Sequence, residues 1–239
     1  MTTWTPRALE SNTYAFASDL WRVVEAQHIA STMRLVDGLA DQAVLESVLE
    51  ASKPTLPTGT ERLHYLLSTP FRYRPRMGSR FRAAFEAGVW YGAAELRTSL
   101  AEKSYWRLKF LLDSPWTPDL KPVPHTAFSA TVRGTAIDLT VRPLVRDRAT
   151  WTHRTSYDAT QALAATARDT QVEIIRYESV RDPEHAACAA VLTPAAFHRA
   201  SPRAEEAWFI AASRERVRCA RDLRVGHTWE FSREQLLGV

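Results

Sequence analysis

"GSRFRAAFEAGVWYGAAELRTSLAE", residues 78–102, decides how the fold is read. Its centre, Gly88-Val-Trp-Tyr-Gly92, is a short apolar run bounded by glycines, the pattern of a buried strand. The continuation, "AAELRTSLAEKSYWRLKFLLD" at 93–113, sets Leu96, Leu100, Ala101, Leu108, Leu111 and Leu112 on one side of a helix that Ser114-Pro115 ends. Glu102 lies off that stripe, on the side of Glu95, Ser99 and Trp106. An isolated helix glutamate is by default a solvated one. Here, however, Arg80, Tyr91 and Glu102 follow one another at intervals of eleven, and Tyr91 closes the expected strand. Gly88 and Gly92 keep the backbone beside it uncluttered, so a cleft lined by a cation, a ring and a carboxylate is expected.

Working outward, "SDLWRVVEAQHIASTMRLVD" at 18–37 places Trp21, Val24, His28, Leu35 and Val36 at helical spacings with Gly38 as a stop, which predicts an amphipathic helix. A second helix is expected over 41–51, capped by Asp41, with Val44, Leu45, Val48 and Leu49 in one stripe. The Pro- and Gly-containing "SKPTLPTGTE" at 52–61 separates this helical unit from the rest of the chain. Later strands are expected at 70–75, 126–132, 136–142, 172–180, 187–193 and 224–232, with a tight Arg133-Gly134 turn making a hairpin of the second and third. A helix is expected over 157–169. Strands dominate without a steady strand-helix alternation, so the expected class is α+β, with a helical extension over 1–61 ahead of a mixed-sheet domain over 62–239.

At 239 residues, 45% hydrophobic and 24% charged, the chain has the composition of an ordinary folded domain. The longest apolar runs fall short of the roughly twenty residues needed to span a bilayer, and no secretory leader pattern opens the sequence. Two cysteines, Cys188 and Cys219, have no framework spacing. A cytoplasmic protein without membrane contact is therefore expected. Net charge +4 and a pI of 9.3 come from arginine clusters at 72–82, 141–148 and 214–224, which favour an anionic partner. A nucleic-acid-binding regulator is the distant alternative, and no helix-turn-helix or RNA-binding signature supports it. Seven histidines and the two cysteines show no zinc spacing, so no metal is expected. There is no P-loop, G-x-G-x-x-G or G-x-S-x-G.

The blocks "FRYRP", "GSRFR", "GVWYGAAELRTSLAE", "YDATQALAATAR" and "RYESVRDPEHAACAAVLTPAAF", in that order over residues 65–197, resemble the RES domain, a family named for its Arg, Glu and Ser. The segment before them resembles the N-terminal extension of a longer-chain subgroup. The resemblance implies an ADP-ribosyltransferase-like fold that consumes NAD by breaking its nicotinamide-ribose bond. It also implies a toxin restrained by a cognate Xre-type antitoxin, with nucleic acid met only through that antitoxin. Carried over, the family arginine falls on Arg80 with Arg82 beside it, the tyrosine on Tyr91, the glutamate on Glu102 and the serine on Ser179. A further arginine fits Arg72, with Arg74 competing, and Phe81 stands where the family has tryptophan.

In that reading Glu102 stabilises an oxocarbenium-like transition state, and Arg80 with Arg72 or Arg74, or Arg82, holds the pyrophosphate. Tyr91 packs on nicotinamide or ribose, and Ser179, alternating with Ile175 and Tyr177 on one strand face, orients the ligand. No motif links Ser179 to a base, so it is not expected to be a nucleophile. The expected acceptor of ADP-ribose is a target protein docked on the N-terminal helices and the 214–224 arginines. Phosphate or water, giving an NAD phosphorylase or hydrolase, is the alternative, and a catalytically inert interaction module is the third.

Overall fold

Eight strands and seven helices make up the regular structure of the residues described, 4–26, 36, 38–221 and 227–238, in a computed structural model. The strands are β1 (Tyr14–Glu25), β2 (Trp90–Ala93), β3 (Leu120–Asp138), β4 (Ile174–Glu178), β5 (Ala187–Val191), β6 (Ala204–Ala212), β7 (Arg216–Arg221) and β8 (Thr228–Ser232). They form one sheet in the order β1-β2-β5-β4-β3-β6-β7-β8, antiparallel throughout except for β3 with β4. The long β3 organises it. Along one edge β3 pairs with all of β1, from Tyr14 opposite Ala136 to Glu25 opposite His125. Along the other it pairs with β6 through its first half and β4 at its end. Because β1 also meets β2, at Trp21 opposite Ala93, five strands close into a ring from which β6 to β8 extend.

The helices are α1 (Pro6–Glu10), α2 (Leu39–Ser52), α3 (Tyr65–Arg72), α4 (Leu96–Asp113), α5 (Arg148–Trp151), α6 (Asp158–Asp169) and α7 (Arg233–Leu237). The α+β expectation holds. Helix α4 packs Leu100, Ala101, Leu108 and Leu111, all fully buried, against Trp208, Ile210, Val217 and Phe231 of the β6–β8 extension. Burying each such leucine contributes roughly 1.5–3 kcal/mol. Helix α6 covers the other side, with Leu163, Ala164 and Ala167 against Phe81, Ile137 and Ile175. Trp90, Phe128 and Phe197 fill the space between β2, β3 and α3.

Several expectations fail for identifiable reasons. The helix expected over 18–37 is instead β1 over its first part, while residues 27–35, with His28 and Leu35, and residue 37 lie outside the described residues. Leu20, Trp21, Val23 and Val24 are closely spaced apolar positions that fit either period, and twelve residues of pairing with β3 decide for the strand. Residues 14–25, placed in a helical extension, therefore belong to the sheet. Gly38 begins α2 as its N-cap, and Asp41 sits in the first turn without capping it. The stripe of α2 is not a core face, since Val44, Val48 and Leu49 are exposed.

The strand expected at 70–75 is the end of α3 and the loop after it. Pro70 removes one helical hydrogen bond there, which burial of Leu66, Leu67 and Phe71 offsets. The hairpin at Arg133-Gly134 does not form, because β3 runs through it with Gly134 opposite Phe16. The Glu173 carboxylate approaches the backbone at this point, accepting from Thr135 N–H at 2.8 Å, and a Cβ on Gly134 would lie 2.5 Å from its Oε2. Glycine makes room for that carboxylate and turns nothing. Of the strand expected at 224–232, Thr228–Ser232 is β8, and residues 224–226 lie outside the described residues. Strands β6 and β7 were not anticipated. Among the described residues no helix is long and apolar enough to cross a membrane.

Candidate active site

A cavity of about 430 Å³ opens between α4, β1, β2 and the segment following β4, a size within the usual range for small-ligand sites. Four α4 residues line it, Ser99, Glu102, Lys103 and Trp106, which share the helix face opposite the leucine stripe. Arg80, Tyr91, Tyr157, Tyr177, Arg181 and Cys188 come to it from other segments. Thus Arg80, Tyr91 and Glu102, eleven residues apart from one to the next, converge on one space.

Ser179 joins them one residue past β4. Its hydroxyl donates to Glu102 Oε1 at 2.6 Å, while its oxygen accepts the N–H groups of Arg181 at 3.2 Å and Asp182 at 3.0 Å. A hydroxyl has one proton, and with two amides aimed at the oxygen that proton is committed to Glu102. Ser179 is a clamp on the carboxylate. The clamp is itself tied to α4: the buried Asp182 side chain accepts from Arg97 Nη1 at 2.6 Å and Thr98 Oγ1 at 2.7 Å. The loop carrying Ser179 is thereby fastened to the first turn of the helix that carries Glu102.

Burial raises the Glu102 carboxyl above its ordinary range. The Ser179 hydrogen bond and the charges of Arg181 and Arg80 oppose that rise, and Asp182 adds to it. Glu102 makes no second hydrogen bond among the described residues, so Oε2 is left for a ligand. Burial likewise pushes the Tyr177 hydroxyl and the Cys188 thiol well up, leaving both neutral near pH 7. Both cysteines are buried free thiols.

The arginines sort differently from the sequence expectation. Arg80 is buried, with Nη1 donating to the carbonyls of Trp151 at 2.7 Å and His153 at 3.0 Å and its guanidinium 4.9 Å from the Tyr157 ring centroid. Arg82 does not line the cavity and is consumed by the carbonyls of Pro75, Met77 and Ala83, holding its own loop. Arg72 pairs with Glu50 of α2 at 2.6 Å, and Arg74 is exposed; neither lines the cavity. Tyr91 is fixed by its hydroxyl, which accepts from Phe81 N–H at 3.1 Å and shares a 2.8 Å hydrogen bond with Ser79 Oγ. Its hydroxyl is therefore spent on the Arg80 loop, and burial raises its pKa.

Arg181, Tyr157, Arg22 and Lys103 were missed. Arg181 is buried, stacked 3.6 Å from the Tyr105 ring centroid and bonded to Arg154 O and Tyr157 Oη. It stands two residues past Ser179 in the same "RYESVRD" block, and Tyr157 opens "YDATQ", so both had a signal. Arg22 had none, because it fell in a segment read as a helix.

Comparison with known families matches residues 56–211 to the RES domain. No curated protein matches the chain. Among solved structures, a chain in the crystal structure of the M. tuberculosis MbcT-MbcA toxin-antitoxin complex is similar in fold, with a TM-score of 0.52 and 11% sequence identity. The similarity covers 84% of this chain and 89% of that one.

Proposed function

Because the chain belongs to the RES-domain family, we propose that it is the toxin of a toxin-antitoxin pair and that it cleaves the nicotinamide-ribose bond of NAD, with Glu102 as the catalytic carboxylate. One observation carries the reading: Glu102, held on one oxygen by Ser179 and open on the other, faces a cavity that Arg80 and Tyr91 also line. Cleavage of that bond builds positive charge on the ribose. A carboxylate fixed beforehand stabilises that charge as it appears and needs no reorganisation. Ser179 keeps the carboxylate oriented. The charges of Arg181 and Arg80 oppose the rise that burial imposes on its pKa.

Arg80 orders the Trp151–His153 turn and, through Tyr157, the cavity wall. The cognate antitoxin, of the Xre type by family resemblance, is proposed as the partner, and the fold likeness to a chain of a toxin-antitoxin complex supports it. A target protein as the acceptor of ADP-ribose keeps only part of its ground, the helix α2 with Val44, Val48 and Leu49 exposed. The segment 14–25 is sheet, and Arg216 and Arg218 both pair with Glu230 on the neighbouring strand. A small acceptor, water or phosphate, therefore fits better, making the enzyme an NAD hydrolase or phosphorylase. NAD labelled on its adenylate side, incubated with the purified protein with and without phosphate and with cell extract, tests this. Label confined to small molecules supports the reading, and label on a discrete protein band overturns it in favour of a transferase.

A further inference from the structure

The turn over residues 151–157 meets both of the buried arginines beside Glu102. Arg80 donates to its Trp151 and His153 carbonyls and lies over its Tyr157 ring. Arg181 donates to its Arg154 carbonyl and to Tyr157 Oη at 3.4 Å. The other side of the turn is tied to the C-terminal helix. Arg154 Nη1 donates to the Leu236 carbonyl at 3.1 Å, one of the last carbonyls of α7, which a helix leaves without a donor of its own. Gly238, the C-cap of α7 at φ +70°, lies against the same guanidinium, where a Cβ would stand 2.5 Å from Arg154 Cζ.

Helix α7 is a firm anchor. A capping box between Ser232 and Gln235 closes its first turn, and Leu236 is fully buried in the cluster that holds Leu100 and Leu108 of α4. Since α4 also carries Glu102, a continuous set of contacts runs from α4 through α7 and Arg154 to Arg181, and so back to the cavity. Burial, and after it the charges of Arg181 and Arg80, pull the pKa of Arg154 down, with Tyr105 opposing. Three arginines are thus gathered at one place, and Arg154 stays among its like because the end of α7 holds it.

We propose that Arg154 and α7 are positioning elements of the active site: they fix the 151–157 turn, and the turn fixes Arg181 beside Glu102. Neither lines the cavity, and α7 lies beyond the residues 56–211 that match the family, so a segment outside the family match completes the frame of a site that it does not touch. The charged and titratable groups that bear on Glu102 are Arg181, Arg80, Asp182, Tyr177 and Cys188. Of these, Arg181 is the one bonded to Arg154. When Arg154 is lost, Arg181 gives up a fixed acceptor and moves from Glu102, whose carboxyl then titrates higher. The effect on turnover rests on the function proposed above. The arrangement about Glu102 does not.

Carbon-13 NMR of the full chain labelled at glutamate Cδ follows the Glu102 carboxyl through its titration, its signal assigned by its loss in Glu102→Gln. Arg154→Ala is expected to raise the midpoint by about half a pH unit or more and to move the acid limb of kcat/KM for NAD upward by the same amount. Arg154→Lys keeps a cation and one donor for the Leu236 carbonyl, and shifts the midpoint less. Gly238→Ala, which crowds the guanidinium from outside the turn, shifts it in the same direction, so the result does not hang on the folding of Arg154→Ala. In an Arg181→Gln background Arg154→Ala adds no further shift, which a merely structural role would not produce. A wild-type Glu102 midpoint in both Arg154→Ala and Gly238→Ala, or the full shift of Arg154→Ala persisting without Arg181, would overturn the positioning role. The expected midpoints in a chain that releases no nicotinamide would keep that role and sink the functional reading. Nicotinamide release with midpoint and acid limb unmoved in the variants would do the reverse.

Discussion

Replacing Ser179 with alanine removes one oxygen that serves three bonds. The hydroxyl donates to Glu102 at 2.6 Å and accepts from Arg181 and Asp182 N–H at 3.2 and 3.0 Å, all at a fully buried position. A hydrogen bond to a charged group contributes roughly 1.5–3 kcal/mol, and each buried N–H left without an acceptor costs roughly 1–3 kcal/mol. The three share one atom and do not add in full, so the expected loss is about 3–4 kcal/mol, a large share of the roughly 5–15 kcal/mol typical of a domain. Urea unfolding followed by tryptophan fluorescence measures it. A second readout separates the clamp from mere stability. The lost bond is one that holds the Glu102 pKa down against burial, so its removal moves that pKa further up. With the ionised carboxylate as the working form, the acid limb of the kcat/KM profile for NAD moves to higher pH in Ser179→Ala. Unchanged stability together with an acid limb at the wild-type pH would refute the clamp.

Glu102→Gln is expected to abolish NAD cleavage and yet raise stability above neutral pH. A carboxyl whose folded pKa lies above its unfolded value leaves the folded state binding more protons, so its contribution falls as pH rises through that window. Each unit of displacement is worth about 1.4 kcal/mol, and the advantage of the variant should shrink toward acid pH; equal unfolding midpoints at pH 8 would contradict this. Arg80→Ala leaves the Trp151 and His153 carbonyls without their donor and removes the cation from the Tyr157 ring, so roughly 2–4 kcal/mol of stability and part of the NAD affinity should go together. A variant as stable as wild type in thermal unfolding would remove the ordering role assigned to Arg80. Gly88→Ala should fail to accumulate as folded protein, because a Cβ there would fall 1.7 Å from the Pro70 carbonyl oxygen and 2.9 Å from Phe71 Cα, both backbone atoms. Soluble Gly88→Ala with a native circular dichroism spectrum would show that α3 can move away from this approach.

What was legible in the sequence was local. The 3.6-residue leucine stripe of α4 and the apolar run before it are each specified by a few neighbouring residues, and both formed, the strand shifted to Trp90–Ala93 and the helix starting at Leu96. Glu102 was legible as the polar residue off that stripe, and the family order of blocks supplied Ser179, whose hydrogen bond spans 77 positions. What was not legible depends on distant partners. Leu20 to Val24 read as helix because nothing nearby shows that β3 will pair with them. Gly134 read as a turn because the carboxylate of Glu173, 39 residues on, is what needs the space. Arg80 lines the cavity as expected, but that Arg72, Arg74 and Arg82 do not was hidden for the same reason. Charge and spacing could not show that Arg72 and Arg82 would be consumed by Glu50 and by loop carbonyls while Arg22 would reach the cavity.

The central claim is that this cavity breaks the nicotinamide-ribose bond through Glu102. Purified wild-type chain and Glu102→Gln, each first shown to be folded, should be incubated with NAD at pH 8 while free nicotinamide is quantified by chromatography. Steady nicotinamide release by wild type, reduced by a factor of about a thousand or more in the variant, is the predicted result. Release at a similar rate by both proteins, or by neither, would contradict it.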